Sequence, residues 1–368
     1  MESVMLRSTF FLIAVLVQLP ADSSGLVFPM NPENNKPGTE EPKPQQPAQP
    51  EKPPAIEIAP PPRPVGVRSI YLKAGTGPGV DGLQVARGLA WLRRQQKEDG
   101  RWEFDGLDRK EYAGATGLAL LAFVGAGETH IGETRYQGIV KAGMSWLLKD
   151  LPLDGPNVGK FKSSATAYGQ AIATLSLCET YGITRDKSLL APAQAAIDYV
   201  QRSQKADGSW PETGTDTEVS LVAWQTQALA AAKLCQDIKV DQVAVQNIIR
   251  FLDSTAGGSR KSKYGQKDST TSAPGTGLIA CGLLCRYLLD GWGPNTPAMA
   301  EGVAGLMKRS PNPKAPKHPA LDIYFYFHAT RVVHFFDGDD WNTWWEGPEE
   351  PREENAINSP RKGGLPEW

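Results

Sequence analysis

Hydrophobic and polar positions divide this chain into two kinds of segment that alternate along it. In the first kind, residues 80–96, 135–150, 188–204, 241–254 and 296–308, charged side chains are mixed with apolar ones at helical spacing. That is the pattern of a helix with one wet face. Each is followed by a segment of the second kind, residues 113–125, 165–181, 219–234, 274–289 and 323–336, where small and apolar residues run nearly all round. A helix with so little polar surface must be covered on most sides. The chain is therefore predicted to be all-α, with half-wet outer helices alternating with covered inner ones.

The outer segments share a motif. Its clearest copies are Arg87-Gly88-Leu89-Ala90-Trp91-Leu92 followed by Gln96 and Gly100-Arg101-Trp102, and Ala196-Ile197-Asp198-Tyr199-Val200 followed by Gln204 and Gly208-Ser209-Trp210. Weaker copies centre on Trp146, Phe251 and Leu306. The anchors Trp91, Trp146, Tyr199, Phe251 and Leu306 lie roughly 52 to 55 residues apart, room for two helices and two turns. Helix pairs of this period close most naturally into a double ring, an α/α toroid around a central cavity. The glycine permits the turn that brings the tryptophan back, the indole covers the apolar gap between pairs, and the glutamine amide bonds exposed backbone at a helix end.

The two ends of the chain add to this. Residues 1–24 read as a secretory signal, with Arg7, an apolar run from Phe10 to Val17 and a cleavage site near Leu19-Pro20-Ala21. This predicts an exported protein, periplasmic or extracellular, with an uncleaved anchor near a membrane as the alternative. Residues 25–66 are rich in Pro, Gln, Lys and Glu and poor in large apolar residues, so they read as a disordered tether. Residues 67–368 are left for the helical domain. Lys362-Gly363-Gly364-Leu365-Pro366-Glu367-Trp368 reads as the opening of a further outer helix. The expectation is five complete helix pairs and a truncated sixth.

A net charge of −2 over 368 residues, with no basic stretch interleaved with aromatics, argues against nucleic acid as a partner. The four cysteines, Cys178, Cys235, Cys281 and Cys285, all fall in apolar helical segments and read as buried thiols.

The paired Gln and Gly-x-Trp motif resembles the QW repeat of squalene and oxidosqualene cyclases. From about residue 80 onward the chain is similar to exported bacterial prenyltransferase/squalene-oxidase-repeat proteins. Further matching stretches are residues 115–123, 168–175, Asp216-Thr217-Glu218-Val219-Ser220 with Trp224-Gln225, and residues 324–330. The resemblance implies a terpenoid-cyclase-like toroid whose apolar, aromatic cavity takes an isoprenoid or similar lipid. The same toroid also serves protein prenyltransferases and thioester-bearing complement-type domains, so fold alone does not fix activity.

Cyclisation in such a fold needs a protonated carboxylic acid, carried in the resembling cyclases by Asp-x-Asp-Asp-Thr at the start of an inner helix. Here Asp337-Gly338-Asp339-Asp340 follows the end of an inner segment and reads as a turn and helix cap. The positional substitute is Asp216 with Glu218, the candidate catalytic pair, although Thr215 and Glu218 equally form a capping box. Tyr112, Thr116, Tyr168, Gln170, Trp224, Gln225, Tyr324, Tyr326 and His328 are the candidate cavity or ligand-binding residues. No metal site or other cofactor is expected, because His130, His318, His328 and His334 supply no His-x-x-x-His pair and the cysteines no Cys-x-x-Cys pair; the alternative is a zinc site assembled across the ring from His328 and a cysteine. No Gly-Cys-Gly-Glu-Gln thioester segment occurs. Three functions stay open: a protein that binds, and can transform, an isoprenoid; a non-catalytic binding or scaffold protein with a protein partner; and a carbohydrate-active toroid enzyme.

Overall fold

The computed structural model describes residues 80–105, 110–210, 219–257, 263–264, 277–311 and 323–346. The signal, the tether, the acid candidates Asp216 and Glu218, and residues 362–368 lie outside the described residues. The described chain is helical apart from one two-stranded ladder. Its helices are α1 (Val80–Gln95), α2 (Tyr112–Gly125), α3 (Gln137–Asp150), α4 (Ala167–Thr184), α5 (Leu190–Arg202), α6 (Val219–Leu234), α7 (Gln242–Thr255), α8 (Gly277–Asp290), α9 (Pro297–Met307), α10 (Ile323–Phe336) and α11 (Gly338–Glu346). Strands β1 (Ala256–Gly257) and β2 (Lys263–Tyr264) pair antiparallel between α7 and α8. Among the described residues no helix is long and apolar enough to cross a membrane.

The even-numbered helices form the inner layer. Thirteen residues of α2 are buried, from Ala113 to Gly125, whereas α3 buries only Val140, Gly143, Met144 and Leu147. Inner helices pack in chain order, α2 on α4, α4 on α6, α6 on α8 and α8 on α10, and the outer helices lie along the same succession. The α2–α4 seam is closed by small residues. A Cβ on Gly114 would sit 2.9 Å from the Gly169 Cα, and one on Gly117 would sit 2.9 Å from the Ala173 Cα. Bulk at either place would push the two backbones apart.

The Gln and Trp of the sequence motif hold successive pairs together. Gln96 Nε2 donates to the carbonyls of Gly100 at 2.9 Å and Ile139 at 3.0 Å, so it ties its own turn to the next outer helix. Gln204 repeats this with Gly208 at 3.2 Å and Ala244 at 3.1 Å. The indoles of Trp102 and Trp210 each donate to a carbonyl in the last turn of the preceding outer helix, Leu92 and Val200, both at 2.8 Å. Helix-end carbonyls lack intrahelical donors, and these bonds supply them. The turns between Gln and Trp place Gly100 at φ +99° and Gly208 at φ +88°, and a Cβ on either would collide with the backbone of the next outer helix.

The inner layer curves. Trp224 of α6 stacks on Phe327 of α10, past the intervening α8, while α7 and α9 lie on the other side of α8. The side of α8 facing away from the outer layer is therefore concave, and it carries the candidate site.

Candidate functional site

Side chains of α6 and α10 meet across the concave face at three levels, spaced as successive turns of two facing helices. Nearest the helix starts, Tyr168 Oη lies 2.6 Å from Ser220 Oγ, and Tyr324 Oη lies 3.3 Å from Cys281 Sγ. Tyr324 is also within reach of Ser220, so one polar string runs over α4, α6, α10 and α8. Burial, with Cys281 and Tyr168 nearby, holds the Tyr324 phenol well above its ordinary range, against the pull of Ser220. It stays a neutral hydroxyl at physiological pH.

One turn deeper lies an aromatic cluster. Trp224 and Phe327 stack with centroids 5.4 Å apart and planes 16° apart. His328 meets Trp224 edge-on at 5.6 Å and Tyr324 at 4.6 Å. Both ring nitrogens of His328 and the indole nitrogen of Trp224 are buried without a hydrogen-bond partner. Burial, reinforced by the charge of Arg331, pushes the His328 pKa well below the usual imidazole value, so the ring is neutral and offers one donor and one acceptor. Leaving a buried polar atom unsatisfied costs about 1–3 kcal/mol. Three such atoms in one contact are unlike the satisfied polar groups of an ordinary core.

At the third level the Arg331 guanidinium donates to Gln227 Oε1. Burial lowers its pKa to about 10, and the nearby Glu179 carboxylate partly offsets that.

The other sequence candidates are placed as follows. Gln225, next to Trp224, donates through Nε2 to the Ala167 carbonyl at 3.2 Å, and its Oε1 is buried without a partner. Tyr326 turns toward α11, against Phe325 at 5.1 Å and Trp344 at 6.1 Å. Thr116 accepts the Trp102 N–H at 3.0 Å. Gln170 accepts from Phe161 N at 3.0 Å and donates to the Gly159 carbonyl at 2.9 Å, so both side chains pin the turns before their helices. Tyr112 is half-buried beneath the Arg101 guanidinium, 4.7 Å from its ring centroid. Tyr168, Trp224, Tyr324 and His328 thus come together, while Tyr112, Thr116, Gln170 and Tyr326 stand apart from them. Phe327, Gln227, Arg331 and Glu179 join the cluster without having been singled out from the sequence. Helical spacing from Trp224 and His328 is the sequence signal that marks Phe327, Gln227 and Arg331, while Glu179, on α4, carries none.

One further carboxyl stands out. Glu111, immediately before α2, is buried between the starts of α2 and α4; its Oε2 accepts from Thr166 Oγ1 at 2.8 Å, and its Oε1 has no partner. Burial raises its pKa, against the opposing pull of the Thr166 hydroxyl and of the nearby backbone of Gly114, Thr166 and Ala165. On the outer surface, a groove of about 480 Å³ opens beside α3, where His130 Nε2 and Asp186 Oδ2 lie 2.8 Å apart. Among the described residues no group of three or more His, Cys, Asp or Glu is placed to hold a metal ion.

No family model and no curated protein matches the chain. Solved structures to which it is similar include the type II terpene cyclase MstE from Scytonema in its apo form, with 14% identity, 65% of each chain covered and a TM-score of 0.40. The chain thus spans slightly less than two thirds of that protein's length. A variant of MstE in complex with its substrate, geranylgeranyl dihydroxybenzoate, is similar at 12% identity over 72% of this chain and 83% of that one, with a TM-score of 0.41. A protein from Actinoplanes is similar at 14% identity over 72% and 86%, with a TM-score of 0.40.

Proposed function

We propose that the chain is an exported α/α toroid that binds an isoprenoid or related apolar small molecule at the aromatic cluster on the concave face of its inner helices. The observation that carries this reading is the Trp224–Phe327–His328 contact, where aromatic faces gather around buried polar atoms that the chain itself leaves without partners. Such faces suit a hydrocarbon chain with scattered unsaturation. Toroidal closure is supported by the packing of consecutive inner helices and by the curvature that brings α6 to α10 past α8. Export is supported by Arg7, the apolar run from Phe10 to Val17 and the small residues that follow.

The test is organic extraction of protein purified from the exported fraction, followed by mass spectrometry. Binding requires an apolar molecule near one per chain, lost on Trp224→Ala. Protein that carries none, and retains no added polyprenyl compound, overturns the reading.

Transformation of the ligand is a second reading, favoured by Glu111. A carboxyl whose pKa burial raises, at the opening of an inner helix, is moved toward the character a proton donor to an alkene needs. Glu111→Gln should then abolish turnover while ligand is still retained; unchanged turnover removes the acid role.

A further inference from the structure

The polar atoms of the cluster specify more than a greasy surface. Trp224 Nε1–H is a donor only, and neutral His328 supplies one donor and one acceptor. The cation of this shell, Arg331, already donates to Gln227 and lies in the field of Glu179. A phosphate or carboxylate placed against His328 would have to share the Arg331 charge with Glu179, so burying it there costs more than burying a hydroxyl.

We infer that the ligand's polar end at this site is an uncharged hydroxyl, which accepts from the Trp224 indole N–H and exchanges a second hydrogen bond with the His328 imidazole. This rests on the binding reading above and narrows it to isoprenoid alcohols or phenols, in place of diphosphates or bare hydrocarbons. A hydroxyl both donates and accepts, so it can satisfy two kinds of orphaned group at once. The nitrogens are sealed from solvent, and Tyr324, half-buried, lies against His328 toward the helix starts.

The test measures equilibrium retention of three probes by the intact protein: geranylgeraniol, geranylgeranyl diphosphate and the parent hydrocarbon without oxygen. The alcohol should bind at least about tenfold more tightly than either, the net worth of one hydrogen bond that the analogues cannot make. In His328→Phe the preference of alcohol over hydrocarbon should fall toward one. Trp224→Phe, which keeps the ring stack and deletes only the indole N–H, should lower the same ratio and carries the test if the histidine variant does not fold. Tighter binding of the diphosphate, or an unchanged ratio in a folded variant, overturns the hydroxyl assignment while leaving lipid binding standing. Failure of all three probes to bind the unaltered protein sinks both.

Discussion

Two buried arginines on neighbouring inner helices sit in opposite surroundings. Arg286 of α8 faces the outer layer, where its guanidinium bonds Asp253 at 2.6 Å, Asp290 at 2.7 Å and the Tyr264 hydroxyl at 3.1 Å. Burial would lower its pKa, but those partners carry it upward. Arg331 of α10 faces the concave side, and there burial prevails and lowers the pKa to about 10. Each element of the outer seam answers another, as a scaffold requires. On the concave face the ring nitrogens of His328 and the indole nitrogen of Trp224 are buried without such partners.

That contrast is most easily broken by removing each arginine. Arg286→Leu strands the Asp290 carboxylate and the buried Tyr264 hydroxyl, and it should cost about 3–5 kcal/mol, as breaking one side of a buried ion pair does. Arg331→Met removes a charge that burial already penalises, so its cost should be clearly smaller. Part of that cost is the Glu179 carboxylate left behind, so adding Glu179→Leu should recover stability instead of losing more. Urea denaturation of the three variants measures both effects. Equal losses at the two arginines would erase the distinction between the faces.

Two tryptophans sharpen it on a smaller scale. Trp210→Phe deletes the buried bond to the Val200 carbonyl at a helix end, leaving that carbonyl only the Ser203 hydroxyl at 3.0 Å, and should cost about 1 kcal/mol. Trp224→Phe deletes an N–H that has no partner, so its stability should change by less than half as much in the same denaturation measurement. The two substitutions are chemically identical. A larger loss at Trp224 would show that its indole nitrogen serves the fold.

What the sequence discloses and what it hides divide along the same line. The outer seam is written locally. Period, Gln96, Gln204 and the Gly-x-Trp turns can be read along the chain, and the inner segments 219–234 and 323–336 coincide with α6 and α10. Where the motif degenerates, local reading fails: Gly159-Lys160-Phe161 makes the same turn, with Gly159 at φ +81° and Phe161 buried in the tryptophan's place. Helix α11 was legible only as a turn at Asp337 and Gly338, because what fixes it is tertiary. Trp344 is wholly buried, with its indole N–H on Thr330 Oγ1 at 2.9 Å. The concave face is less legible still. Gln227 and Arg331 stand 104 residues apart, and no local pattern announces that they touch. Glu111 reads as one more surface acid until α4 is laid over it.

Glu111 gives the finest probe, because it lies in the small-residue seam yet carries an orphaned oxygen like those of the concave face. Its pKa in the folded chain is raised by burial, whereas the unfolded chain holds it at the ordinary glutamate value. Between those two values the folded state binds the extra proton, so stability falls as pH rises through that window. Below the ordinary value both states are protonated and the effect is absent; above the raised value the penalty is complete and constant. Melting temperatures measured upward from pH 4 should therefore decline slightly across the window in the unaltered protein. In Glu111→Gln, where nothing titrates at this position, that component of the slope should disappear while the Thr166 hydroxyl keeps an amide oxygen to donate to. A slope identical in both proteins would mean that the carboxyl keeps its solvated acidity, and that the seam between α2 and α4 admits water.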